Sequence, residues 1–84
     1  MFRPEEFQAR LRERPFRPFR IIADEGLRYD IYHPDLVMVG ERDVMVGLPG
    51  SSKQPIYHRV VRVALVHVLA LEDLPAKSAN GPAN

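Results

Sequence analysis

Arg14-Pro15-Phe16-Arg17-Pro18-Phe19 is the stretch that decides the architecture of this chain. Proline cannot continue a helix, and it biases the residue before it, Arg14 and then Arg17, toward extended backbone. The segment therefore predicts a hinge that converts a preceding helix into the first strand of a β domain. On its N-terminal side Pro4 suits the first turn of a helix, and Glu5 and Glu6 sit where the helix dipole favours negative charge. Phe7 and Leu11 fall four apart on one face, and Glu6 and Arg10 form an i,i+4 ion pair on another. A helix over residues 4–13 follows, too short to stand without a sheet to pack on.

On the C-terminal side the spacing predicts a strand over Phe16–Ala23 and a second over Leu27–Tyr32, joined by Asp24-Glu25-Gly26. A three-residue loop with Gly26 in the left-handed position pairs Ala23 with Leu27. It then sets Ile21 opposite Tyr29, Phe19 opposite Ile31 and Arg20 opposite Asp30, whereas a two-residue loop would mix the faces. His33-Pro34 breaks the run. A short repeat comes next, Val37-Met38-Val39-Gly40 and Val44-Met45-Val46-Gly47 around Glu41-Arg42-Asp43. Either a two- or a four-residue turn places Val39 opposite Val44 and Met38 opposite Met45. Val37, Val39, Val44 and Val46 then share one face, with Met38 and Met45 on the other. One face meets the core, and the other needs the helix or a second subunit.

Pro49 to Pro55 reads as a loop. Ile56–Leu71 is rich in β-branched residues but exceeds the usual strand of ~5–6. A break is expected near Val63-Ala64-Leu65-Val66, as one tight helical turn, with a last strand over His67–Leu71. Residues 1–74 form a single small α+β domain, and 75–84 read as a disordered tail. The fold class is α+β: an N-terminal helix followed by a five- to six-stranded antiparallel sheet or small barrel.

This order of elements resembles the SH3-like and Sm-like small barrels. The chain also resembles a group of small bacterial proteins best represented in planctomycetes. The matching residues are Arg14 to Phe19, Asp24-Glu25-Gly26, His33-Pro34 and Leu65 to Glu72, with Glu25 inserted where that group carries an Asp-Gly turn. The resemblance supports the fold and brings no activity with it. In Sm-like proteins a loop of the pattern Asp-x-x-Met-Asn recognises RNA bases. Here Asp35-Leu36-Val37-Met38 is followed by Val39, so the hydrogen-bonding amide is missing.

Composition narrows the function classes. The chain has 84 residues and no cysteine, so disulfides and thiolate metal sites are excluded. A reducing cytoplasm suits it. The longest apolar run, Val63–Leu71, is interrupted by His67 and falls short of the ~20 residues that span a bilayer. Net charge is only +1, although residues 1–20 hold six arginines against three glutamates. Pro15 to Arg20 fits P-x-x-P-x-R, yet Phe16 and Phe19 are wanted by a small core. Gly47-Leu48-Pro49-Gly50 fits GXXG without the flanking helices, and Gly50-Ser51-Ser52-Lys53 lacks the geometry of a phosphate loop. His33, His58 and His67 have no metal-ligand spacing, and Ser51, Ser52 and Ser78 all fall in loop or tail. No cofactor, metal or catalytic residue is expected. The leading expectation is a non-catalytic module that self-associates, or binds a protein partner, through Val37, Met38, Val39, Val44, Met45 and Val46. The alternative is weak binding of single-stranded RNA through Arg28, Tyr32, His33 and Arg59.

Overall fold

The computed structural model describes residues 1–50 and 56–75. The expected loop's residues 51–55, and all of the expected tail except Pro75, lie outside them. Among the described residues, helix α1 (Pro4–Arg12) is followed by β1 (Phe19–Ala23), β2 (Arg28–Ile31), β3 (Val37–Val39), β4 (Asp43–Pro49), β5 (Tyr57–Ala64) and β6 (Val68–Asp73). All pairings are antiparallel, in two three-stranded sheets ordered β2-β1-β6 and β3-β4-β5. The fold is α+β, as the sequence predicts, and the strands do not close into one barrel.

Helix α1 begins where Pro4 allows it. Its first turn is closed by Glu6, whose Oε1 accepts a 2.7 Å hydrogen bond from the Arg3 backbone N–H. The expected Glu6–Arg10 pair therefore does not form. A carboxylate gains more by satisfying an orphan N–H at the helix start than from an exposed i,i+4 ion pair. Arg10 turns instead to β6, donating from Nη2 to Asp73 Oδ1 at 2.6 Å, with its guanidinium 4.7 Å from the centre of the Phe19 ring. The Arg14–Pro15 peptide is cis, and β1 starts only at Phe19, three residues later than expected. Pro18 lacks the N–H that a ladder needs. Its carbonyl still accepts from Leu74 N–H at 3.0 Å, beside the start of β1. The strand that Pro18 introduces is central, not an edge.

The β1–β2 register is the expected one, Phe19 with Ile31, Arg20 with Asp30 and Ile21 with Tyr29. Ala23 N–H donates to Leu27 O at 2.8 Å across the three-residue turn. Gly26 takes its positive φ of 76°, but Glu25 also lies in the left-handed region at φ 64°. That conformation costs a residue with a Cβ about 1–2 kcal/mol. The β3–β4 register also matches, and Gly40 N–H donates to Asp43 O at 2.8 Å, so the tip is the two-residue turn Glu41-Arg42. A helical turn at Leu65–His67 breaks the long β-rich run, which places β6 one residue later than expected.

The two sheets and the helix share one core. Phe7 comes from α1, Phe19, Ile21 and Ala23 from β1, Ile31 from β2, and Val44 and Val46 from β4, with Val63, Leu65 and Val68 completing it. Leu11, Phe16, Val37, Val39 and Val61 pack around them, half-buried. The valine face of the hairpin thus meets the chain's own core, and the helix closes that core through Phe7.

Candidate functional site

The register of β3-β4-β5 fixes what its outer face displays. Val44, Val46 and Val63 point inward, so Met38, Met45, Arg62 and Val60 point outward, with Gly47 opposite Val60. Met38 is 69% exposed, Tyr57 60% and Val60 43%. Gly47 is buried in this face, because Tyr57 and Leu36 close over it. A Cβ there would stand 3.0 Å from Tyr57 Cβ and 3.3 Å from the Leu36 carbonyl oxygen. Arg62 lies across the sheet, with Nε 3.3 Å from Asp43 Oδ2 and Nη2 3.9 Å from Met45 Sδ.

Of the six hairpin residues expected to self-associate, only the two methionines therefore remain available. Val44 and Val46 are buried in the core, and Val37 and Val39 pack half-buried against it. What the hairpin pattern could not reveal is that β5 extends the same outer face with Val60 and Tyr57. Its signal was the β-branched run itself, but strand neighbours are set by tertiary pairing.

The four RNA candidates are divided between the sheets. Arg28 opposes Ile22 in β2, Tyr32 and His33 follow that strand, and Arg59 opposes Leu48 in β5. Arg28 and Arg59 are exposed, and Tyr32 and His33 are half-buried. The arginine-rich N-terminal region is largely engaged within the chain. Arg3 pairs with Glu5 and Arg10 with Asp73. Arg14 donates to the Leu11 and Glu13 carbonyls, Arg17 grips Glu13, and Arg20 bridges Asp30 and Glu72 on the outer face of the other sheet. The Arg17 guanidinium holds the Glu13 carboxyl below its usual range, and that hydrogen bond raises Arg17 in turn. Asp30 likewise raises Arg20. Both arginines stay charged at any ordinary pH.

A pocket of about 240 Å³ opens between the Asp24–Gly26 turn and the end of β5, with Tyr29, Arg62 and His67 in its lining. His67 Nδ1 sits 2.7 Å from Asp24 Oδ2. A carboxylate can only accept, so the imidazole donates from Nδ1. The bond ties the β1–β2 turn to the Leu65–His67 turn, 43 residues apart. An oriented histidine could serve as a base, but Ser51, Ser52 and Ser78 lie outside the described residues, and no other hydroxyl nucleophile except tyrosine exists in the chain. No group of three or more His, Cys, Asp or Glu able to hold a metal ion occurs among the described residues. No helix among them is long and apolar enough to cross a membrane. Comparison with protein-family models, curated proteins and solved structures gave no match.

Proposed function

We propose that this chain is a non-catalytic interaction module that works as a homodimer, with the β3-β4-β5 sheet as its self-association surface. The observation that carries the proposal is the exposed apolar group Met38, Tyr57 and Val60 on that sheet, on the side away from the core and from α1. Exposed apolar groups gathered on one face mark interaction surfaces more often than single exposed residues do. A chain of 84 residues supports this reading, because so small a core gains stability when a second copy covers more of its surface. A chain without cysteine suits a reducing cytoplasm as its working compartment. RNA binding ranks second, since Arg28 and Arg59 sit on different sheets and most of the N-terminal arginines are engaged by carboxylates or carbonyls.

The test is mass by light scattering across a dilution series from high to low micromolar protein. A dimer mass that falls toward the monomer on dilution is expected. A monomer mass throughout overturns the proposal.

A further inference from the structure

β5 is a long edge that no strand covers among the described residues, and only its far end, Arg62 to Ala64, faces another segment, the Asp24–Gly26 turn across the pocket. On its other side it pairs with β4 from Tyr57 to Ala64. An edge strand leaves a row of N–H and C=O groups ready to pair with another chain, and proteins blunt such edges with charged side chains, lysine above all, and with proline, bulges or shortness. Tyr57-His58-Arg59-Val60-Val61-Arg62-Val63-Ala64 contains no proline and no lysine, its charges are Arg59 and Arg62, and it is the longest strand among the described residues. Its one irregularity, a register shift opposite Leu48 and Pro49, lies at its very start.

We infer that two copies join antiparallel through the β5 edge, with Val61 opposite the Val61 of the second copy, to make a continuous six-stranded sheet. The inference rests on the self-association proposed above and specifies its contact. A two-fold axis perpendicular to the sheet carries the outer face of one copy onto the outer face of the other. Opposed residues must then point the same way, so the axis passes beside a residue and not between two. Charge selects which residue. An axis at Arg59 or Arg62 sets that arginine directly against its own copy, and like charges directly opposed destabilise a sheet. An axis at Val60 opposes Arg62 to His58 and leaves the two Arg59 side chains as diagonal neighbours.

An axis at Val61 opposes no two cations, and the arginines it leaves as diagonal neighbours are the two Arg62, each with a carboxylate of its own copy beside it. It opposes Val60 to Arg62, Arg59 to Val63 and His58 to Ala64, so every arginine lies against an aliphatic side chain that its stem can cover. Asp43, 3.3 Å from Arg62 within each copy, offsets the charge nearest the axis. The register also runs Tyr57 and Ile56 of one copy toward the Leu65–His67 turn of the other. Ile56 is 58% exposed, and Val66 in that turn is 66% exposed. The contact thus covers Ile56, Tyr57, Val60 and Val66, and leaves Met38 two strands away.

Single cysteines test the register in a chain that has none of its own. Directly opposed residues stand about 4.5–5.5 Å apart at Cα, within the disulfide range. Under mild oxidation Val61→Cys should give the highest yield of covalent dimer. Val60→Cys and Arg62→Cys should each give little alone, but mixed together they should form the covalent heterodimer. Charge variants read the same register without a disulfide. Val60→Glu, facing Arg62 of the second copy, should tighten the dimer several-fold, and Val60→Lys should weaken it by a similar factor. A dimer of native mass that ignores both Val60 variants and is weakened by Met38→Glu would place the contact on the outer face and overturn the edge. A monomer mass for the parent chain would overturn the edge and the self-association together.

Discussion

Phe19 is the residue on which helix, hinge and sheet converge. It is fully buried, meets the edge of Phe16 at 6.1 Å between ring centres, and lies under the Arg10 guanidinium. Arg10 is itself unusual, because its Nε is buried without a hydrogen bond. Glu13 Oε1 stands 3.8 Å from that nitrogen, too far for a bond but close enough to offset the charge. Truncating Phe19 removes the ring that the guanidinium rests on, as well as core volume. Phe19→Ala should cost ~3–5 kcal/mol in urea unfolding. A variant nearly as stable as the parent would take Phe19 out of the core. Glu25 is a residue of the opposite kind, held against its preference at φ 64°. Glycine removes the Cβ that makes this conformation costly, offset in part by its freer unfolded chain. Glu25→Gly should therefore raise stability by about 0.5–1 kcal/mol in the same measurement, and an equal loss would contradict the strain. The inserted residue at this turn was visible in the sequence, but which of its backbone angles would absorb the insertion was not.

Among elements, what could be read ahead of the structure was whatever depends on neighbours along the chain. The β1–β2 register follows from the alternation of Phe19, Ile21 and Ala23 and from the length of the turn, and the β3–β4 register follows from the repeated Val-Met-Val. The break at Leu65–His67 follows from strand length. Partners distant in sequence were not legible: Arg10 with Asp73, Asp24 with His67, and β5 as a sheet edge. The candidate site divides the same way, since the hairpin's two apolar faces are local pattern, whereas the choice of the valine face for the core depends on where α1 and β1 settle. Helix α1 carries a measurable mark of its anchoring. Arg17, hydrogen-bonded to Glu13 at 3.1 Å, lowers the Glu13 pKa, with Arg10 contributing less. A carboxylate with a depressed folded pKa lends stability at neutral pH that is lost as pH falls through that depressed value. In an NMR titration Glu13 should protonate below the ordinary glutamate value of about 4.3. Arg17→Ala should raise it, and a Glu13 that titrates alike in parent and variant would mean the pair is not populated.

At the scale of the whole molecule, the charges are arranged to hold the chain to itself. Net charge is +1, and Arg10, Arg17, Arg20 and Arg62 each have a carboxylate partner within 3.5 Å. Affinity for nucleic acid grows with the number of phosphates that cations neutralise, because each releases counterions. An arginine already bound to a carboxylate must give up that partner before it can do so. The cations without a side-chain partner among the described residues, such as Arg28 and Arg59, are too few and too divided between sheets to line a continuous groove of the kind single strands follow. Labelled single-stranded RNA titrated at low salt should accordingly bind weakly, and the binding should vanish as salt rises from about 50 to 200 mM. The proposed edge dimer would sharpen this expectation, because it would lay the Arg59 stem of each copy along Val63 of the other and restrict the arginine that RNA would need. Protein held at a concentration where light scattering reports dimer should bind RNA less well per chain than the same protein diluted to monomer. RNA binding that is tight, persists at high salt and does not weaken on dimerisation would instead make the β2 and β5 arginines a working surface, with self-association separate from it.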